Sequence, residues 1–421
     1  MLWGLGVGYV ISGNYFGWNL GLEAGGTLGL GIAIIFIIIL AITFTFSYTE
    51  LACAIPKAGG VFDYASRAFG KDVGFIAGMA QNIEFIFAPP AIAFAIGAYV
   101  NLFLPNVPVL VISMIAYFLF TGLNIFGVKT AAVFELVVTI VAVGGLLLFS
   151  FVTLPHFDTA MMMKNSFPKG TSGIFAALPF AIWFFLGIEG VANVAEETID
   201  PQRTILLGFG SAIVTLVILC VLTFLGAVGI AGWERVVYLE NGVVSDSPLP
   251  LAMALAQGSG SVLYSALIII GLFGLVASFH GIILAAGRSS FEFGRVKFAP
   301  TIIGKIHPRF QTPANALVVN MIIGIMALLT GKTGEIITIS VFGALTLYII
   351  SVVTLLRLRK SEPSLVRPFK VPLYPFFPII AFVIASVSLI ALTIYNIQLA
   401  LIYFLIVGIS FLIFKLRYKD Q

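Results

Sequence analysis

The chain has 421 residues, of which 60% are hydrophobic and 10% charged, against about 45–50% and about 25% in a soluble globular protein. With a net charge of +4 and a mean hydropathy of +1.12, it has too few charges to clothe a surface facing water. A soluble enzyme, a disordered chain and a basic nucleic-acid binder are thereby excluded, and an all-α membrane protein in contact with a lipid bilayer remains.

Twelve apolar runs of spanning length follow in order, at residues 2–22, 28–54, 74–103, 107–127, 131–154, 174–195, 204–231, 260–290, 313–330, 335–356, 374–394 and 397–416. They are continuous rather than alternating, so they read as transmembrane helices and not as barrel strands. The first is broken by glycine and has no basic lead-in, so it reads as a retained span rather than a cleavable signal. Cys53 and Cys220 lie in different runs, without metal or redox spacing. If the N-terminus is cytoplasmic, eighteen Lys and Arg, Lys129 and Lys419 among them, fall in inside loops. Only Lys164, Lys169, Arg235 and Lys332 fall outside. The positive-inside rule then puts both termini in the cytoplasm of a multi-pass cell-membrane protein.

Residues 55–71 and 246–258 are too apolar for simple connectors and read as short helices lying on the protein or the interface. They follow the second helix of spans 1–5 and of spans 6–10, on opposite sides. Either they are unrelated loops or they mark an inverted repeat. The repeat divides the chain into 1–155, a first five-helix half; 174–358, a second; and 374–416, two further helices.

Span 1 carries Gly4, Gly6 and Gly8, then Ser12-Gly13-Asn14-Tyr15-Phe16-Gly17-Trp18-Asn19. Glycine is a poor helix former, and freed backbone groups in lipid are tolerated only where they line a cavity. The small residues also suit a helix-packing face, but the polar and aromatic residues between them point to a break. Span 6 holds Pro179 and then Trp183-Phe184-Phe185-Leu186-Gly187-Ile188-Glu189-Gly190, an acid between glycines in an apolar run. Interrupted helices at matching positions of two halves are where carriers bind substrate.

Other ionisable groups inside the runs are few: Glu84 ahead of a Pro89-Pro90 kink, Glu135 near the start of span 5, and His280 in span 8. Glu84 and Glu189 either hydrogen-bond an unwound helix or serve as counter-ions or proton carriers. His280 is either structural or a proton carrier. Glu84, Glu189 and His280 are thus the candidates for a coupling proton. Glu50, close to the end of span 2, has the position of an acid that snorkels to the interface. Enzyme chemistry finds no motif: His156, His280 and His307 are far apart, and HExxH, GxSxG and P-loop patterns are missing. No cofactor or metal is expected.

At these residues the chain resembles the amino acid–polyamine–organocation (APC) superfamily of secondary transporters. The resemblance rests on Ile11 to Asn19, on Trp183 to Glu189 followed by Glu196-Glu197-Thr198-Ile199-Asp200-Pro201-Gln202-Arg203, and on Ile55-Pro56-Lys57-Ala58-Gly59-Gly60. The later stretches His307-Pro308-Arg309-Phe310-Gln311-Thr312-Pro313 and Arg367-Pro368-Phe369-Lys370-Val371-Pro372 add to it. Tyr15 to Asn19 and Glu84-Phe85-Ile86-Phe87-Ala88-Pro89 are most similar to its ethanolamine permease branch. The resemblance implies a LeuT-like 5+5 inverted repeat with discontinuous helices 1 and 6, twelve transmembrane helices and alternating access.

Two departures bear on the substrate. Amino-acid carriers of the family place small residues where this chain has Gly17-Trp18-Asn19, and Trp18 crowds the place of a substrate carboxylate. Ala142 stands where some proton-coupled relatives have a lysine. The expectation is uptake of a small organic amine, ethanolamine foremost, with an amino-acid permease as the alternative. Asn14, Tyr15, Phe16, Gly17, Trp18, Asn19, Glu84, Trp183, Phe184, Gly187, Glu189 and Phe279 are the expected substrate site, with Trp183, Phe184 and Phe279 as an aromatic wall.

Overall fold

Glycine decides where the apolar runs bend. The computed structural model describes residues 2–127, 131–197 and 201–418; of the positions named above, Lys129, Lys419 and 198–200 lie outside the described residues. In chain order the helices are α1 (Leu2–Val10), α2 (Ser12–Tyr15), α3 (Trp18–Ala54), α4 (Val61–Phe69), α5 (Lys71–Asn101), α6 (Val109–Phe126), α7 (Ala131–Thr153), α8 (Thr159–Met163) and α9 (Gly170–Trp183). A 3₁₀ segment, Ile188–Glu197, leads to α10 (Pro201–Ala231), α11 (Trp233–Val237), α12 (Pro248–Gln257), α13 (Val262–Arg295), α14 (Ala314–Leu328), α15 (Thr333–Ser361), α16 (Phe376–Tyr395) and α17 (Ile397–Tyr418).

Ten helices among the described residues are long and apolar enough to cross a membrane. The first expected span, 2–22, is not one helix but α1, α2 and the beginning of α3. α3 has 37 residues, about 55 Å of helix, nearly twice the ~30 Å hydrocarbon core. It turns at Gly26, whose φ of 70° and ψ of −175° are not helical, so the expected spans 1 and 2 meet there. The expected ninth span is α14, with 15 residues. Both short connector helices are present, α4 within 55–71 and α12 within 246–258. The Pro89-Pro90 pair lies inside α5, which continues through it. Cys53 and Cys220 are buried and are not joined in a disulfide.

Broken helix, long helix, short connector helix, then three more helices: this order occurs from α1 to α7 and again from α9 to α15, where the five-residue α11 is added before the connector α12. The two broken helices sit at the centre. α1 packs against α7, α10 and α13, while α9 lies along α3. α16 and α17 present exposed Ile, Leu, Val and Phe over much of their length, the composition of a lipid-facing surface.

Glu50 does not snorkel. It is fully buried and is gripped by Arg359 through Nε to Oε1 at 2.7 Å and Nη2 to Oε2 at 2.6 Å. Arg367 approaches at 3.3 Å, and the Val371 backbone N–H donates at 2.7 Å. The reason is the Arg367 to Val371 stretch, which folds back over the end of α3. Arg367 also caps the end of α15, donating to the carbonyls of Leu358 and Glu362 at 2.9 and 3.0 Å. Similarly, Thr312 donates to the Ile125 carbonyl at 2.6 Å, so the His307 to Pro313 stretch closes the end of α6.

A second clasp, exposed, joins α4 to the same region: Arg67 forks onto Glu362 at 2.9 and 2.5 Å. Glu50→Ala leaves two guanidinium groups without their buried partner, a loss of about 3–5 kcal/mol. Its thermal midpoint in detergent should fall by many degrees, while Arg67→Ala, which removes a solvent-screened pair worth under ~1 kcal/mol, should barely move it. The Arg67 guanidinium holds the Glu362 carboxyl below its ordinary range. A depressed carboxyl stabilises above its unfolded pKa and loses that contribution as pH falls through the folded one. The α4 clasp is therefore intact at neutral pH and released in acid, measurable as faster hydrogen exchange of Val61–Phe69 that Arg67→Ala already shows at neutral pH.

Candidate functional site

The helix that begins the chain ends at Phe16 and Gly17. Phe16 is extended (φ −157°, ψ 169°), and Gly17 has φ 91°, a value that L side chains rarely adopt. The second break runs from Phe184 to Gly187, whose φ is 92°. The two breaks touch. A Cβ on Gly13 would run into the Trp183 carbonyl oxygen and stand 2.9 Å from Phe184 Cα, and one on Gly17 would stand 2.7 Å from the Trp183 ring. The Phe16 and Trp183 rings meet edge to face, 5.4 Å between centroids. Ser12 to Asn19 and Trp183 to Glu189 are all buried.

Backbone groups released by the first break are taken up by side chains. The Tyr99 hydroxyl donates to the Tyr15 carbonyl at 2.9 Å and the Trp18 indole to the Asn14 carbonyl at 3.1 Å. Ser278 donates to the Tyr9 carbonyl and lies 2.8 Å from the Ser12 hydroxyl. The Tyr15 ring fits a notch left by Gly271 and Gly274 of α13, and its hydroxyl donates to the Ala142 carbonyl at 2.7 Å. Asn19 is tied outward, its amide donating to the Ser245 carbonyl at 2.8 Å. Tyr15 and Asn19, expected on substrate, thus act as struts. Asn14 differs: it is wholly buried and neither polar atom of its side chain has a partner among the described residues.

Glu84 of α5 and Glu189 just past the second break face one another, with the Gly187 backbone N–H beside Glu84. The Tyr348 hydroxyl of α15 lies 3.4 Å from Glu189 Oε2. Both carboxyl groups are at most 1% exposed, and apart from each other and the Gly187 N–H neither Glu84 oxygen nor Glu189 Oε1 has a partner among the described residues. Trp183 Nε1 is likewise unpartnered. Two such carboxyls away from water coexist as an acid–carboxylate pair or as two carboxylates around a cation. Among the described residues no cluster could hold a metal ion.

Phe279, expected at the substrate, and His280, expected as a candidate for a coupling proton, lie elsewhere. Phe279 packs on α6, against Tyr117 at 5.1 Å and Phe120 at 5.7 Å, so the aromatic surface at the breaks is Phe16 with Trp183. His280 lies 3.5 Å from Glu135, in a separate cluster. Tyr99 and Tyr348 were not anticipated; the only signal for either is a hydroxyl inside an apolar run. Because Gly13 touches backbone, Gly13→Ala should cost about 1–3 kcal/mol of overpacking and lower the thermal midpoint, whereas Gly122→Ala, with open space at its Cβ, should leave it unchanged.

The chain is similar to known transporters. Over 437 residues, 99% of this chain and 91% of the relative, the sequence is 28% identical to an uncharacterized transporter of Rhizobium meliloti. It is 24% identical to the methylthioribose transporter of Bacillus subtilis, across 79% of this chain and 74% of that one. The serine/threonine exchanger of Bacillus subtilis is 26% identical, across 79% and 75%. The family description that matches is Amino acid permease, over residues 4–421. The chain belongs to the amino acid permease family.

Proposed function

We infer that this permease is a secondary carrier for uptake of a small organic amine, with ethanolamine the best fit, working by alternating access. The observation that carries the reading is the pair of facing carboxyls, Glu84 and Glu189, beside the break between α9 and the 3₁₀ segment. An ammonium group between them would neutralise charge that otherwise meets no cation in the centre of the bundle. Phe16 and Trp183 add ring faces that attract a cation by about 0.5–2 kcal/mol, and Asn14 offers an amide to a hydroxyl. Gly17, Trp18, Phe184 and Gly187 shape the backbone around it.

A substrate carboxylate fits less well. At ~4 Å from either glutamate it would meet about 4 kcal/mol of repulsion at an effective dielectric constant of 20. The start of α3, where N–H groups would favour an anion, is occupied by the buried Trp18 indole turned back onto Asn14.

The proposed frame has twelve spans: the LeuT-like 5+5 inverted repeat over 1–155 and 174–358, with 374–416 as two added helices. Both termini lie in the cytoplasm of the cell membrane. The recurring order of broken, long and short helices supports this frame, as does the excess of Lys and Arg on the proposed inner side. A second reading, amino-acid carriage, is favoured by relatives whose names specify amino acids, such as the serine/threonine exchanger and the branched-chain amino acid permease of Bacillus subtilis.

Radiolabelled uptake separates the two. Unlabelled ethanolamine should compete in excess where alanine and glutamate do not; inhibition by the amino acids alone overturns the amine reading. Glu84→Gln and Glu189→Gln should each reduce uptake at least ~10-fold, the equivalent of about 1.4 kcal/mol, at unchanged membrane abundance. Full activity in both would remove the counter-ion role.

A further inference from the structure

α1, α7 and α13 meet at a second buried ionisable pair that the central site does not use. Glu135 of α7 is 1% exposed and His280 of α13 is 6% exposed, with Oε2 3.5 Å from Nδ1. That separation exceeds the ~2.7–2.9 Å of a charge-assisted hydrogen bond. Apart from each other, neither Glu135 oxygen nor His280 Nδ1 has a hydrogen-bond partner among the described residues. The imidazole stands edge-on to the Phe120 and Phe134 rings, at 6.3 and 6.0 Å, so its surroundings are apolar.

The pair is built against the first broken helix. α1 reaches Glu135 because Gly8 has no side chain: a Cβ there would run into Oε1 and stand 2.7 Å from Thr139 Oγ1. A Cβ on Gly281 would lie 3.2 Å from the same oxygen and would strike the Tyr9 ring, while one on Gly190 would come within 3.0 Å of that ring's other edge. The Tyr9 ring therefore lies between the Glu135–His280 pair and the segment that carries Glu189. Ser278, two residues before His280, is bonded to the Tyr9 carbonyl. Of the titratable groups on the elements packed around the pair, the Tyr9 ring of α1 borders it, while Tyr117 of α6 packs on Phe279 with its hydroxyl toward Gly324 of α14. Beyond them stand Glu189 past the Tyr9 ring and Arg288 about two turns further along α13.

We propose that Glu135 and His280 form a proton-binding site that clasps α1 to α7 and α13 and supplies the coupling ion for carriage. The proposal rests on the carrier reading. Carboxylate and neutral imidazole together hold one negative charge. They take one proton from water on one side of the membrane and share it between Oε2 and Nδ1 as a neutral pair. They return it to water on the other side, and no other bond forms or breaks. The neutral pair is tolerated away from water; the deprotonated one leaves a buried carboxylate without a counter-charge, a penalty of several kcal/mol. Letting water reach that carboxylate means parting α1 from α7 and α13, which opens a path to the break. Proton release and opening of that side are then one event.

The test uses the full chain in proteoliposomes, in sodium-free buffer, with two readouts. Infrared titration follows carboxyl protonation between about pH 5 and pH 8. A carboxyl band that titrates in the wild type should be missing in Glu135→Gln and shifted in His280→Gln. Its persistence unchanged in both overturns the proton site. The second readout is radiolabelled ethanolamine: one pH unit supports up to about tenfold accumulation per coupled proton. Both variants should lose that accumulation yet keep counterflow without a gradient within about twofold of wild type. Gradient-driven accumulation retained in both, or accumulation and counterflow lost together, overturns the coupling role. Should Glu135→Gln fail to fold, His280→Gln carries both readouts. If the wild type moves no ethanolamine even in counterflow, the substrate reading has failed, and the infrared titration still decides the proton site.

Discussion

A helix can be interrupted inside a bilayer only if its freed N–H and C=O groups are satisfied by the protein itself. The arrangement at the centre of this molecule follows from that constraint. At the break at Phe16 and Gly17, Tyr99 and Trp18 bring donors to the carbonyls of Tyr15 and Asn14, and Ser278 brings one to the Tyr9 carbonyl near the junction of α1 and α2. The Tyr15 hydroxyl fixes the same stretch to α7. Close approach of the two breaks depends on Gly13 and Gly17, since a side chain at either would meet Trp183. The glycines that weaken the helix are thus also those that let its neighbour in, so flexibility and packing are not competing explanations for them.

The buried acids differ in whether the chain supplies a cation. Glu50 receives two guanidinium groups and a backbone N–H, so it is spent on holding α3, α15 and the segment before α16 together. Glu135 receives an imidazole at 3.5 Å, a partner whose charge depends on a proton. Glu84 and Glu189 receive each other and a distant tyrosine hydroxyl. A fixed cation makes a structural clasp; the titratable partner and the two acids without a cation are the features on which the proposed proton site and the proposed amine site rest.

The fold was legible where the signal was periodic or compositional. Apolar runs, the Gly-Asn-Tyr-Phe-Gly and Gly-Ile-Glu-Gly interruptions and both short connector helices could be read because each depends on neighbours in sequence. Glu50 was misread because its partner Arg359 lies 309 residues away, and nothing local distinguishes a snorkelling acid from one about to be covered. Phe279 was placed at the substrate because an aromatic residue beside His280 shows no sign of which neighbour it will face; it faces α6. Tyr99 and Tyr348 look in sequence like any large core side chain, since only the third dimension brings their hydroxyls to the Tyr15 carbonyl and to Glu189. Tyr15 and Asn19 lie in the right segment, but their polar atoms are used by the protein.

The central claim is that the centre where the two broken helices meet holds an ammonium group between Glu84 and Glu189. The most direct measurement is an electron cryo-microscopy map of the purified chain saturated with ethanolamine, compared with one recorded without it. The account predicts added density within hydrogen-bond reach of both carboxyl groups, enclosed by Phe16 and Trp183. Ethanolamine density elsewhere in the bundle, with the Glu84–Glu189 contact unchanged, would contradict it.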